Sequence, residues 1–259
     1  METMLLGLLI VGASVVLAHI GLKMVRRTVS LEVLQSHHEV AGFIIGVIGA
    51  VYAVLLAFVV VAVWDQFEDA NATVTREANQ LIDLSRMAQG FPLPAQQSVQ
   101  DSLRVYVRVA IDEEWPAMAR GEQGQRTQGA MDQLWKSYRE MDPQTSRENA
   151  LYSASLDRLI ELNDSRRLRL YASRNDIPLI VRILLWGGGL MTLAFTYFFG
   201  VKSIRSQALM TAGLASVLSF VLFLIVALDN PFHGSVRVSP EPLKQALTLI
   251  EQNQQAAKP

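Results

Sequence analysis

Residues 41–70 read AGFIIGVIGAVYAVLLAFVVVAVWDQFEDA. The first 24 of these residues carry no charge, and the first acidic side chain, Asp65, follows Trp64 directly. A helix rises about 1.5 Å per residue, so about 20 apolar residues cross the ~30 Å hydrocarbon core of a bilayer. A soluble helix of this length normally keeps a polar face, and this stretch has none. Residues 41–64 are therefore predicted to form a transmembrane helix.

Three further stretches of 21 to 24 residues share this composition: Met4–Met24, Pro178–Val201 and Gln207–Leu228. Their only formally charged residues are Lys23, near the end of the first, and Arg182, one turn into the third. A signal peptide is an alternative for the first stretch, but its basic residues follow the apolar run and no small-x-small cleavage site closes it. The chain is predicted to be an all-α membrane protein with four transmembrane helices.

A polar region separates the second span from the third. Residues 65–176 hold 18 acidic and 14 basic side chains, with apolar residues at helical spacing and breaks at 90–94, Pro116, 121–124 and 142–143. Thr145 followed by Glu148 predicts a capping box at the start of the last helix. We expect a helical extramembrane domain over residues 65–177, flanked by spans in 1–64 and 178–228. A tail over 229–259 is expected to contain an amphipathic helix from Pro242 to about Glu251.

The second span has two neighbouring faces of distinct character. Small residues follow one narrow face, at Gly42, Gly46, Gly49, Ala53 and Ala57. Ala50, Val54 and Phe58 form the other at i, i+4, i+8 spacing. One interpretation is ordinary close packing between helices, which small residues permit. The other is that several copies of this helix surround an axis, so that the apolar face forms a ring that gates ions by dewetting.

Five arginines near the third span are candidate interface or pairing charges. Arg166, Arg167 and Arg169 precede the span, together with Arg174, and Arg182 lies within it. The first group has two possible partners, lipid phosphates or the acids Asp65, Glu68 and Asp69 at the end of the second span. We favour the acids, because both groups are predicted at the same membrane level. Arg182 is close enough to Pro178 to extend to the membrane interface.

Several classes of function are disfavoured. Glu113 and Glu114 have no adjacent His or Lys to pair with, so a solvated face is expected there, and the adjacent His37 and His38 are expected in a polar loop. No Gly-rich phosphate loop and no serine elbow is present, and the absence of cysteine excludes disulfides and thiolate metal sites. The net charge of −1 gives no indication of nucleic-acid binding. We expect no enzyme, no metal, no cofactor and no nucleic-acid partner.

Two motifs stand at the ends of the apolar segments. After Phe58, the chain has Trp64, Asp65, Phe67 and Asp69 in the pattern AVWDQFEDA over residues 62–70. After the fourth span it has Asn230, Pro231 and Phe232, followed by the amphipathic tail. Both motifs, and the order of two spans, helical insert, two spans and tail, resemble the bestrophin family, and most closely its bacterial members. In outline the resemblance covers nearly the whole chain.

The resemblance implies a homopentamer in a bacterial inner membrane, with one axial pore for inorganic ions lined by the second span. By position, Ala50, Val54 and Phe58 correspond to the three apolar neck residues of that pore. Residues 59–61 are valines where bestrophins have basic and amide residues, so ion selectivity does not transfer. The sequence after Phe232 lacks the acidic run of the calcium clasp, which disfavours calcium gating. The alternative is a non-conducting membrane sensor or scaffold that binds a partner through the helical insert.

The two indicators of membrane orientation disagree. The short loops carry Lys23, Arg26, Arg27, Lys202 and Arg205, which the positive-inside rule would place in the cytoplasm. The family resemblance instead implies a cytoplasmic insert. We follow the resemblance.

Overall fold

A computed structural model describes residues 2–36, 38–122, 124–234 and 236–256, and none of these residues lies in a β-strand. They form ten α-helices: α1 (Glu2–Thr28), α2 (Leu31–Ser36), α3 (His38–Ala88), α4 (Leu93–Val109), α5 (Trp115–Met118), α6 (Gln125–Arg139), α7 (Ser146–Ala172), α8 (Leu179–Phe195), α9 (Ile204–Leu228) and α10 (Glu241–Ala256). Among the described residues, four helices are long and apolar enough to cross a membrane, in the regions Leu5–Thr28, Glu39–Ala88, Leu179–Phe198 and Ile204–Leu228. The predicted all-α membrane protein with four apolar helices is confirmed.

The chain divides into two compact units. The first unit contains residues 1–65 and 176–229, and the second contains residues 66–175 and 230–259. Helix α3 contributes residues to both units. It continues without a break from Gly49 to its end at Ala88, and this stretch contains no further glycine and no proline. It ends just before the segment 90–94, where two prolines disfavour continuation of the helix.

In the first unit, α1 packs along α9, and α8 packs on α9. The α8–α9 connection is held by Gln207, whose side-chain amide donates to the carbonyl of Phe199 at 2.9 Å. Arg26 donates to the Gln207 side-chain oxygen at 2.9 Å and to the carbonyl of Val201. Partly buried hydrogen bonds therefore tie the end of α1 to the start of α9.

The second unit encloses one apolar core. Helix α4 packs on α6 and α10, and α10 buries Leu243, Ala246 and Ile250 completely. This spacing of 3 and 4 residues gives α10 one apolar face towards the core. Between α4 and α5, residues Ala110–Glu114 form a π-helical turn in which the amide of Trp115 donates to the carbonyl of Ala110. The turn rotates the side chains that follow it relative to a continuous α-helix.

Candidate functional site

Helix α3 uses one face to pack inside the first unit. Tyr52, Leu56 and Val63 are 5%, 7% and 2% exposed. The Tyr52 hydroxyl donates to the carbonyl of Leu185 on α8 at 2.6 Å. A Cβ added to Gly188 would lie 2.6 Å from the Tyr52 ring, so the glycine makes room for the aromatic side chain. This contact fixes which way the opposite face of α3 points relative to α8.

The opposite face of α3 is apolar and open. At about 100° of turn per residue, Ala50, Val54 and Phe58 lie on the side away from the buried residues. All three are exposed, with Val54 56% and Phe58 72% accessible. At about 1.5 Å per residue they span about 12 Å of the helix axis. Their exposed apolar neighbours are Phe43, Val47, Val51 and Val61.

The small residues of the second span have few contacts inside the described chain. A Cβ added at Gly46 or Gly49 would find no atom within 4 Å, and at Gly42 it would lie 3.7 Å from Phe199. Ala53 and Ala57 are exposed. The close approach between α3 and α8 instead uses Gly188 and Gly189 of α8, next to Tyr52. A close helix contact at these small residues of α3 would therefore need a helix from a second chain. Their predicted role in helix packing stays a prediction.

The residues of the two family motifs have different environments. Trp64, Asp65 and Asp69 are exposed, whereas Phe67 packs against the core of the second unit. In the second motif, Phe232 is 1% exposed and meets Trp115 edge to face with ring centroids 5.5 Å apart. The Pro231 carbonyl accepts from the amide of Val238 at 2.7 Å, and Asn230 also has an interaction partner. Phe232 thus anchors the start of the tail within the second unit.

A buried charge cluster lies at the centre of the second unit. Arg169 of α7 is 0% exposed and donates to both carboxylate oxygens of Glu77 on α3, at 2.6 and 3.0 Å. It also donates to Glu114 of the π-helical turn at 2.7 Å. Its guanidinium carbon lies 5.4 Å from the centroid of the Trp115 ring, within the range of a cation–π interaction. Glu77 and Glu114 are themselves fully buried.

Neighbouring side chains complete the hydrogen bonding of these carboxylates. Arg166 donates to Glu114 at 2.7 Å and to the Gln128 side chain at 2.8 Å. The Tyr106 hydroxyl donates to Glu77 at 2.6 Å. Burial raises the pKa of Tyr106 well above its usual value, and the Glu77 carboxylate raises it further. Two buried cations and two buried anions therefore balance one another, which a low-polarity interior requires.

The acidic partners of four of these arginines differ from the sequence expectation. Arg166 and Arg169 pair with Glu77 and Glu114, not with Asp65, Glu68 or Asp69, and neither is available to lipid phosphates because both are buried. The physical reason is the helical turn of α7, which directs both side chains to the core side of the helix. The other two have their own acids: Arg167 pairs with Asp164 at 3.9 Å, and Arg182 pairs with Asp229 at 3.1 Å.

The expectation of a solvated face at Glu113 and Glu114 is half wrong. Glu113 pairs with Arg126 at the surface, but Glu114 is completely buried. The π-helical turn directs Glu114 inwards, towards arginines more than 50 residues further along the chain. Among the residues that the structure describes, no group of three or more His, Asp or Glu side chains could hold a metal ion. His37 lies outside the described residues.

The architecture defines a multi-pass helical membrane protein. The family model of the Bestrophin-like domain matches residues 12–243, and the chain belongs to that family. Sequence comparison with curated proteins gives no match.

Solved structures share the fold. A crystal structure of a variant bacterial bestrophin homologue from Klebsiella pneumoniae has a TM-score of 0.71 at 13% identity, covering 96% of this chain and 99% of the homologue. A second variant of that homologue has a TM-score of 0.68 at 16% identity, with 94% and 98% covered. A variant described only as a membrane protein has a TM-score of 0.70 at 14% identity, with 94% and 96% covered. At these identities the likeness concerns the fold.

Proposed function

We propose that the protein is a bestrophin-like ion channel in which several copies of α3, five by resemblance, surround one axial path for inorganic ions. The observation that supports this proposal is the exposed apolar face of α3 at Ala50, Val54 and Phe58. It coincides with the positions that the family resemblance assigns to the pore neck. The exposed stripe at Gly46, Ala53 and Ala57 lies beside that face and would let neighbouring copies approach closely.

The chemistry of this face suits a gate better than a binding site. An ion must lose part of its hydration to pass an apolar ring, and side chains without polar atoms return none of that free energy. Water also leaves a narrow apolar constriction readily, which blocks ions without a physical plug. Phe58, the largest of the three side chains, would set the narrowest point of the ring.

We propose that residues 65–177, inserted between the second and third spans, form an extramembrane domain together with the tail 229–259. By resemblance this domain is cytoplasmic and the membrane is a bacterial inner membrane, although the basic short loops favour the opposite orientation. Because the native chain has no cysteine, single-cysteine variants report orientation directly. With an impermeant maleimide on intact cells, Lys202→Cys should react and Arg147→Cys should react only after permeabilisation. The reverse pattern would overturn the cytoplasmic assignment.

Ion flux tests the channel. The double variant Val54→Ala/Phe58→Ala widens the proposed ring and should increase ion flux through reconstituted vesicles several-fold over the native protein. Leu8→Ala/Leu9→Ala is the matched control, because these α1 side chains are 69% and 70% exposed and lose comparable apolar volume. The control should conduct like the native protein.

Unchanged flux in the Val54→Ala/Phe58→Ala variant, with oligomer and fold intact, would reject the pore. The remaining function would then be a non-conducting sensor or scaffold that binds a partner through the second unit.

A further inference from the structure

One end of the first unit is strongly basic. The segments 23–39 and 202–205, which connect its helices at that end, hold five basic and two acidic residues. The basic residues come from the last turns of α1 and the start of α9, and they are Lys23, Arg26, Arg27, Lys202 and Arg205. At the opposite ends of these helices the unit has Glu2, Asp65, Asp176 and Asp229 with one cation, Arg182.

Arg26 has a structural role that the other four do not share. Its guanidinium donates hydrogen bonds to the Gln207 side chain and to the carbonyl of Val201. Gln207 is only 2% exposed. These bonds hold the end of α1 against the start of α9. The two helix ends that bear the remaining cations are therefore fixed side by side.

The other four cations, Lys23, Arg27, Lys202 and Arg205, form an exposed basic patch. Within the described part of the chain, none of them pairs with a carboxylate within 4.0 Å. Unpaired cations on a protein surface favour an anionic partner, because their charge has no internal compensation.

The helix faces that carry the basic patch also carry exposed apolar side chains next to it. On α1, Ile20 and Met24 are 57% and 67% exposed and share one face with Lys23 and Arg27, whereas Leu22 on the other side is fully buried. On α9, Leu209 is 76% exposed and lies one turn after Arg205. Both helices thus present an apolar surface that ends in cations.

We propose that this basic patch binds the phosphate of an anionic phospholipid, whose acyl chains lie along the exposed apolar faces of α1 and α9. A phospholipid combines the two required features in one molecule, an apolar chain and an anionic phosphodiester at the membrane interface. Clusters of Lys and Arg at span ends attract such anionic headgroups. Free phosphate would use the cations but leave the apolar faces unoccupied.

Native mass spectrometry of the full-length protein in detergent tests this site. We expect phosphatidylglycerol to stay bound at least about tenfold more than phosphatidylcholine with the same acyl chains. Lys23→Gln/Arg27→Gln and Lys202→Gln/Arg205→Gln should each reduce this preference, and the quadruple variant should abolish it. The charge-preserving variant Lys23→Arg/Lys202→Arg should keep it.

Arg126→Gln/Lys136→Gln/Arg139→Gln/Arg147→Gln is the control, because it removes the same charge from exposed positions of the second unit. It should bind phosphatidylglycerol like the native protein. Equal retention of the two lipids, or an unchanged preference in both double variants, would overturn the proposal. Displacement of phosphatidylglycerol by an equal concentration of inorganic phosphate would also contradict it, because the acyl contacts would then contribute nothing.

Discussion

Arg169 places a positive charge in the core of the second unit. It donates three hydrogen bonds to carboxylate oxygens and one to the sulfur of Met118. Removing a guanidinium from water is costly, and the two carboxylates of Glu77 and Glu114 compensate for that cost through short hydrogen bonds. The cluster joins α3, the π-helical turn and α7, which are distant in sequence. It therefore specifies which side of each helix faces the core of the second unit.

Arg169→Met tests this role at a single residue. Methionine fills similar space but leaves Glu77 and Glu114 buried without their shared cation, so we expect a loss of about 3–5 kcal/mol in the free energy of unfolding. Denaturant unfolding of the second unit, followed by tryptophan fluorescence, measures it. Arg167→Met is the control, because Arg167 is 72% exposed and its pair with Asp164 is 3.9 Å long. Equal effects of the two variants would reject the structural role of the cluster.

Tyr106 makes the stability of the second unit depend on alkaline pH. Its pKa in the folded protein is raised, chiefly by burial and then by Glu77, so the unfolded chain releases this proton near pH 10 while the folded chain keeps it. Above about pH 10 the unfolded state binds fewer protons, and stability falls as the pH rises. Tyr106→Phe should flatten the fall between pH 9 and 11 in a series of unfolding curves. An unchanged slope would show that this hydroxyl titrates normally.

The buried cluster was not predicted from the sequence, for two separable reasons. Glu114 is directed inwards by a π-helical turn, which no residue pattern before Pro116 indicates. Glu77, in contrast, lies within the stripe of Val74 and Leu81, and the arginines of α7 extend the buried stripe of Leu159 and Leu162 at the same helical spacing. Opposite charges at core positions of two helices were the available signal. Without the tertiary contact, their pairing could not be predicted.

At the level of elements, the contact between α3 and α8 depends on a glycine. A Cβ at Gly188 would lie 2.6 Å from two atoms of the Tyr52 ring, which is itself held by the carbonyl of Leu185. Gly188→Ala should therefore lower the melting temperature of the detergent-solubilised protein through overpacking, with a cost of about 1–3 kcal/mol.

Gly187→Ala provides the matched control for that variant. A Cβ at Gly187 meets no atom within 4 Å, so its melting temperature should equal or slightly exceed that of the native protein. A similar loss in both variants would show that general helix effects, and not the Tyr52 contact, account for the change.

The elements themselves were largely predictable. Four apolar runs identified the four apolar helices because membrane insertion depends on length and composition alone. Proline and glycine marked the end of α3, since Ala88 precedes the segment 90–94. Thr145 caps α7 by accepting from the amide of Glu148 at 3.1 Å, as the capping box predicts. The Glu148 carboxylate accepts from the backbone amide of Gln144 at 2.8 Å, whereas a capping box would use the amide of Thr145.

At the scale of the whole molecule, composition cannot distinguish a pore face from a lipid face. Phe58 of α3 and Leu9 of α1 are 72% and 70% exposed in the single chain, and both are apolar. Lipid tails and neighbouring helices offer similar surroundings to such side chains. Only the resemblance at residues 62–70 and 230–232 separates the two interpretations. It does so because it implies an assembly of several chains, in which Phe58 would face a central axis.

A structure of the assembly in lipid nanodiscs, determined by electron cryo-microscopy, tests the channel proposal most directly. The proposal predicts a closed ring of identical copies in which Ala50, Val54 and Phe58 of every α3 face the central axis. It also predicts that Gly46, Ala53 and Ala57 contact the adjacent copy. A ring whose axis is lined by other helices, or an α3 whose Phe58 faces lipid, would contradict it.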